Sequence, residues 1–172
     1  MYLGLLTLSL KIQERTLNKW PILEGFPKPQ VPTNNPMSDE KVALGKQLFF
    51  DKNLSANQQQ SCESCHMQQY SFAEPLSVSI GSTGVLHRRN APALVNIAYN
   101  KTLTWAHDGI TSLERQILLP MFDEPPIELG ITGHEAEVLA RFNTVEYKQA
   151  FNIAFPEQPV SFELIVKALA SY

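Results

Sequence analysis

The sequence predicts a mainly α fold, because helix start signals recur along the chain while strand signals are nearly absent. The 172 residues are 44% hydrophobic, which is enough for one domain with a core of its own. Apolar residues follow each start signal at the three- and four-residue spacing of an amphipathic helix. We therefore expect a single helical domain whose helices are separated by long loops.

The first helix is expected to begin after Ser38. Ser38 is a good N-cap, and Asp39 and Glu40 would complement the helix dipole in the first turn. The helical pattern then continues to Asp51. Its apolar positions are Val42, Leu44, Leu48 and Phe49.

Three later helices are expected from similar signals. The pairs Thr111–Glu114 and Thr132–Glu135 have the spacing of a capping box, and Ser161 is a good N-cap for the last helix. No glycine or proline stops that helix before Tyr172. The apolar positions of the three helices are Leu113, Ile117 and Met121, then Val138, Leu139 and Phe142, then Phe162, Ile165, Val166 and Leu169.

The chain divides into three predicted parts. Residues 1–19 are interpreted as a degenerate or partial export signal, because an apolar stretch lacks both a preceding basic residue and an A-x-A cleavage site. Residues 20–37 contain five prolines, so they predict an extended arm. Residues 38–172 form the helical domain, in which residues 70–90 predict a long irregular loop.

Charge and hydropathy limit the partners. The net charge of −3 and a pI near 5.8 argue against a nucleic acid partner. The sequence has no apolar run of 18 residues, so no membrane span is predicted.

The most specific motif is Cys62-Glu63-Ser64-Cys65-His66. Two cysteines three positions apart and followed by histidine have the spacing that attaches a c-type haem. Each thiol can form a thioether with a haem vinyl group, and the imidazole of His66 can be the proximal ligand of the iron. The alternatives are a redox dithiol pair, which does not need the histidine, and half of a zinc site, for which no further cysteine exists.

Several separate motifs resemble one known family. Residues 44–51, the haem motif, residues 89–92 and Asn96 resemble the bacterial di-haem cytochrome c peroxidases. The arm at residues 24–38 and the run at residues 98–105 resemble the MauG-like branch, especially MbnH-type enzymes that oxidise a tryptophan on a partner protein. The resemblance extends from about Trp20 to Tyr172.

The resemblance implies a cytochrome c-like domain around one covalently bound haem c. Family members carry two haems in two domains, and this chain matches the first domain. The second haem domain would therefore lie beyond Tyr172. The chain is accordingly interpreted as a fragment or truncated gene product. The implied activity is reduction of hydrogen peroxide through a ferryl intermediate, with oxidation of a protein redox partner or protein substrate. The alternative is a mono-haem electron carrier without catalysis. Because haem c is attached outside the bacterial inner membrane, a periplasmic location is expected.

The resemblance also implies roles for single residues. Glu128 matches the distal acid, Gln116 the distal glutamine that helps to hold peroxide, and Trp105 the tryptophan between the two haems. Asn90 matches a residue of the calcium site between the domains. Ser82 stands where other members have a distal histidine, which leaves the sixth iron position open.

For several side chains, ordinary structural roles are the alternative to these functional ones. Glu128 could be a solvated loop acid, and Trp105 could be ordinary core packing. The cationic run containing His87 and Arg89 could pair with haem propionates, or lie in a solvated loop. His107 and His134 are expected at the surface. Met67 and Met121 could each be a sixth iron ligand or fill the core.

Overall fold

The computed structural model describes residues 24–105, 109–123 and 125–172. Over these ranges the chain forms helices and isolated β-bridges but no strand. The prediction of a mainly α fold is therefore confirmed. The predicted export signal and His107 lie outside the described residues. None of the described helices is long and apolar enough to cross a membrane.

The described residues contain α-helices and short 3₁₀ turns. The α-helices are α1 (Asp39–Phe49), α2 (Leu113–Phe122), α3 (Glu135–Ala140), α4 (Val145–Ala154) and α5 (Phe162–Ser171). The 3₁₀ turns are Lys52–Leu54, Cys62–Ser64, Gln68–Tyr70 and Ile97–Tyr99.

Two of the predicted helix starts are confirmed. The Ser38 hydroxyl accepts from the Lys41 amide at 3.2 Å, and the Ser161 hydroxyl accepts from the Leu164 amide at 3.4 Å. Each bond satisfies one of the amides that the first turn of a helix leaves unpaired. These two caps begin α1 and α5.

The other two helix starts were predicted wrongly. At α2 the N-cap is Ser112, not Thr111, and its hydroxyl accepts from the Arg115 amide at 3.2 Å. At α3 the N-cap is His134, because the Thr132 hydroxyl instead donates to the Phe122 carbonyl at 2.7 Å. That bond ties the start of α3 to the end of α2.

Helix α4 was not predicted. Thr144 caps it by accepting from the Tyr147 amide at 3.3 Å. Its buried residues Tyr147, Phe151 and Ala154 recur at the spacing of an amphipathic helix. The sequence therefore carries a signal for α4, and sequence reasoning missed it.

The core lies where α1 packs against α4 and α5, and α5 also packs against α2. The fully buried side chains include Leu48, Phe142, Phe151 and Ile165. Gly45 allows the close approach of α1 and α5, because a Cβ there would lie only 2.0 Å from the Ala168 carbonyl oxygen. Met121 is buried in this core, which agrees with core filling.

Residues 24–37 run as turns and coil to the start of α1. Asn35 is buried, and its amide donates to the Glu114 carboxylate and to the Lys167 carbonyl, both at 3.0 Å. The Lys41 ammonium donates to the Asn35 side-chain oxygen at 3.1 Å and to the Pro36 carbonyl at 2.8 Å. One asparagine thereby connects the end of the arm to three helices.

Candidate functional site

The Cys62–His66 motif folds into one tight turn. The amides of Cys65 and His66 both donate to the Cys62 carbonyl, at 3.3 and 2.9 Å. The Ser64 hydroxyl accepts from the Ser61 amide at 3.0 Å, which fixes the start of the turn. Neither cysteine is in a disulfide. The turn therefore presents two thiols and an imidazole from five consecutive residues.

The His66 imidazole is held in one tautomer. Its Nδ1 lies 2.8 Å from the Phe72 carbonyl oxygen. A carbonyl can only accept, so Nδ1 donates and the lone pair of the neutral ring lies on Nε2. Burial lowers the pKa of His66, against the opposing effect of the Phe72 and Pro92 carbonyls and of Glu74. The ring is thereby kept in the neutral form that ligates iron.

The carbonyl that orients His66 belongs to an unusual turn. Ser71 and Phe72 both have φ of 59°, in the left-handed region that non-glycine residues adopt at a cost of about 1–2 kcal/mol each. The Met67–Ala73 bridge and the packing of the Phe72 ring on Phe49, with centroids 5.9 Å apart, hold this turn. Such an outlier is a feature of functional sites, and here it positions the partner of His66.

The two thiols share their surroundings with Glu128. Burial raises the pKa of Cys62 to about 12 and that of Cys65 to about 11. Repulsion from the Glu128 carboxylate contributes to both of these increases. A residue 63 positions beyond the second cysteine therefore lies within electrostatic reach of the motif.

Backbone hydrogen bonds hold Glu128 on both sides. Its carbonyl accepts from the Ser82 amide at 2.9 Å, and the next amide, that of Leu129, donates to the Pro120 carbonyl of α2 at 2.9 Å. The Nδ1 of His87 lies 3.8 Å from the Glu128 carboxylate. Burial raises the pKa of Glu128, while His87 lowers it. The backbone of Glu128 is therefore fixed on both sides, and its side chain is 44% exposed.

The remaining predicted residues lie at different places. Gln116, on α2, has a buried side-chain oxygen without a hydrogen-bond partner among the described residues. Trp105 is 57% exposed, and its indole donates to the Asn90 carbonyl at 2.8 Å, so it is not core packing. Arg89 is exposed, and its carbonyl accepts from the Ser79 amide at 3.1 Å. The structure thus brings Trp105 and Asn90 together but leaves Arg89 at the surface.

Among the described residues, no three His, Cys, Asp or Glu side chains converge as a metal ion held by side chains alone would need. The two thiols and His66 instead belong to one turn of five consecutive residues. This donor set fits a haem c, with the thiols for two vinyl groups and the neutral imidazole for the iron. Covalent attachment of haem and calcium binding stay predictions.

Sequence reasoning missed Glu74 and the burial of His87. Glu74 is buried, accepts from the Ala91 amide at 2.7 Å and from the Ser79 hydroxyl, and helps to raise the pKa of His66. The sequence leaves two interpretations of His87 open, a partner of a haem propionate or a residue of a solvated loop. In the structure its side chain is only 9% exposed. Neither position has a sequence signal, because each depends on how the loop folds back.

Comparisons with known proteins identify the family of the chain. The profile of the di-haem cytochrome c peroxidase family matches residues 39–172. Cytochrome-c peroxidase IdrP1 of Denitromonas iodatirespirans is 44% identical over 158 residues, covering 90% of this chain and 40% of that protein. The methylamine utilization protein MauG of Methylophilus methylotrophus is 32% identical over 162 residues, covering 88% and 45%.

A solved structure shares both the fold and much of the sequence. The crystal structure of a MauG-like protein associated with microbial copper homeostasis superposes with a TM-score of 0.86 at 44% identity. The superposition covers 88% of this chain and 45% of that one.

The fold and the motif turn together define a cytochrome c-like haem domain. The chain belongs to the di-haem cytochrome c peroxidase family. It spans about two fifths of the length of the curated relatives it matches.

Proposed function

We propose that this chain is the peroxide-reactive haem c domain of a MauG-like di-haem enzyme. In this proposal it reduces hydrogen peroxide and passes the oxidising equivalents to a protein redox partner or protein substrate. The proposal includes a periplasmic location and covalent attachment, in which each thiol adds across a haem vinyl group without any added oxidant.

The observation that carries the proposal is the position of Glu128. Its carboxylate lies within electrostatic reach of Cys62 and Cys65, although Glu128 is more than 60 positions beyond both cysteines in the sequence. An electron carrier would need only the motif turn and a sixth iron ligand. A fixed, partly buried acid beside the attachment site is what proton transfer to and from peroxide requires.

The chain supplies the proton chemistry, and bound haem would supply the iron and its redox equivalents. In this proposal Glu128 would take a proton from one oxygen of peroxide and return it to the other oxygen, which would leave as water. Burial raises the pKa of the Glu128 carboxyl, which makes its carboxylate a better proton acceptor than that of a solvated glutamate. The high-valent iron state implied by the family resemblance belongs to this proposal.

The proposed electron exchange with a partner would use Trp105. The indole is 57% exposed and is oriented by the Asn90 carbonyl. An exposed aromatic ring fixed by one hydrogen bond can approach a donor or acceptor outside this chain. Asn90 is also the proposed contribution of this chain to a calcium site, whose further oxygen ligands would come from elsewhere.

Replacing Glu128 tests the proposal. Glu128→Gln keeps the size of the side chain but removes the proton acceptor, and such groups typically contribute about 10²- to 10⁴-fold in rate. The haem-loaded variant should still bind cyanide, yet react with hydrogen peroxide at least about a hundredfold more slowly in stopped-flow absorbance.

Glu157→Gln is the matched control, because Glu157 is an exposed acid at the end of α4. It should react with peroxide at the rate of the unchanged protein. Equal rates for all three proteins would remove Glu128 from the mechanism.

A further inference from the structure

We propose that His87 is a positioning residue for Glu128, which holds the carboxylate of the proposed proton-transfer group in place and in its charged form. This inference rests on the proposed function, because it assigns a task to His87 only if Glu128 exchanges protons with peroxide. It also replaces the two alternatives left by the sequence, a propionate partner and a solvated loop.

The contact between the two side chains is direct. Nδ1 of His87 lies 3.8 Å from the Glu128 carboxylate, and the His87 side chain is 9% exposed against 44% for Glu128. The Nε2 atom of His87 is buried without a hydrogen-bond partner among the described residues. Buried polar atoms normally have partners, so this ring is held where its own hydrogen bonding is incomplete.

A folded-back segment brings His87 to this position. We call residues 79–89 the 79–89 ribbon, since the Ser79 amide donates to the Arg89 carbonyl at 3.1 Å and the His87 amide to the Ser79 carbonyl at 2.9 Å. The Gly81 amide closes its tip by donating to the Val85 carbonyl at 3.0 Å. The Glu74 carboxylate anchors the ribbon by accepting a hydrogen bond from the Ser79 hydroxyl.

The ribbon also contacts the Glu128 segment through its backbone. The Ser82 amide donates to the Glu128 carbonyl at 2.9 Å. A Cβ on Gly81 would lie 1.8 Å from the Ile127 carbonyl oxygen and 3.1 Å from Nε2 of His87. Only glycine at this position allows the ring and the acid segment to pack on the same side of the ribbon.

His87 affects the pKa of Glu128 in the opposite direction to the acidic groups around it. Asp123, at the end of α2, and Glu74 both repel the Glu128 carboxylate and raise its pKa. The thiols of Cys62 and Cys65 lie on the motif side, and burial keeps them protonated. Among these neighbours His87 alone favours the charged carboxylate. Removing it should therefore move the titration of Glu128 to higher pH.

The pH profile of the peroxide reaction tests this inference. The rate should rise with pH as Glu128 loses its proton, and the midpoint of that rise can be measured. His87→Gln removes the imidazole that lies next to the carboxylate and should move this midpoint up by about half to one pH unit. Below the midpoint the variant should be about three- to tenfold slower, and well above it the rates should meet.

His134→Gln is the matched control. His134 also faces a carboxylate, since its Nδ1 lies 3.5 Å from Glu137, but both side chains are more than half exposed. Its profile should match that of the unchanged protein. His87→Asn is a second uncharged variant, which should shift the midpoint in the same direction as His87→Gln.

The outcomes separate the two proposals. If the unchanged protein and His134→Gln do not react with peroxide, the proposed function itself fails. If they react, and the His87 variants keep the same midpoint or are slower by one factor at every pH, the inference is overturned. Loss of haem binding in both His87 variants would show a purely structural role and would also overturn it.

Discussion

Position 82 shows how one side chain limits the chemistry of the site. Both backbone groups of Ser82 are bonded, the amide to the Glu128 carbonyl at 2.9 Å and the carbonyl to the Asn57 side-chain amide at 2.7 Å. The backbone from which the Ser82 side chain extends is therefore held next to Glu128. A serine hydroxyl is a poor ligand for haem iron, whereas a histidine imidazole is a good one.

Replacing Ser82 with histidine should change the spin state. In the haem-loaded Ser82→His variant we expect part of the ferric population to become low-spin, because the imidazole would complete the iron coordination. Electron paramagnetic resonance at low temperature measures the two populations. Ser82→Thr, which adds no nitrogen ligand, is the control. A Ser82→His spectrum identical to that of the control would show that position 82 does not face the iron.

The contact between α1 and α5 shows how one missing side chain sets the distance between two elements. Gly45 is in the middle of α1, where glycine is less favourable than alanine by up to about 1 kcal/mol. The close approach to the Ala168 carbonyl explains why glycine is nevertheless present. Because the obstacle is backbone of another helix, it cannot move aside as a flexible side chain would.

Gly45→Ala should destabilise the protein despite its better helix propensity. Overpacking a tight contact typically costs about 1–3 kcal/mol, which exceeds the gain of about 1 kcal/mol at most in propensity. The free energy of unfolding from urea titration followed by circular dichroism measures the balance. Lys46→Ala, at the exposed neighbouring position, should change stability by less than about 0.5 kcal/mol. A Gly45→Ala protein more stable than the original would contradict the close contact.

Capping signals in the sequence predicted the helix starts that depend on local hydrogen bonds. They failed where a contact with a distant residue determines the helix start. Ser38 and Ser161 begin helices as expected, since an N-cap acts within three residues. Thr132 has an equally good signal, but its hydroxyl binds the Phe122 carbonyl, a contact ten residues away. The capping pattern could not reveal that competition.

At the scale of the whole molecule, two distant parts of the chain meet at the attachment turn. The motif turn could be predicted from its spacing, and the family resemblance indicated Glu128. The pairing of Glu128 with His87, 41 positions earlier, could not be predicted, because it depends on the fold of the 79–89 ribbon and on α2. These contacts fix the backbone of Glu128, the residue on which the proposal of a peroxide-reactive domain rather than an electron carrier rests.

The ferric absorption spectrum of the haem-loaded protein tests this central claim most directly. A domain with an open sixth iron position should be high-spin, with a charge-transfer band in the red, and should change its spectrum when one equivalent of hydrogen peroxide is added. A fully low-spin spectrum that peroxide leaves unchanged would show that a protein side chain, such as Met67, fills the sixth position. That result would contradict the account and identify the domain as an electron carrier.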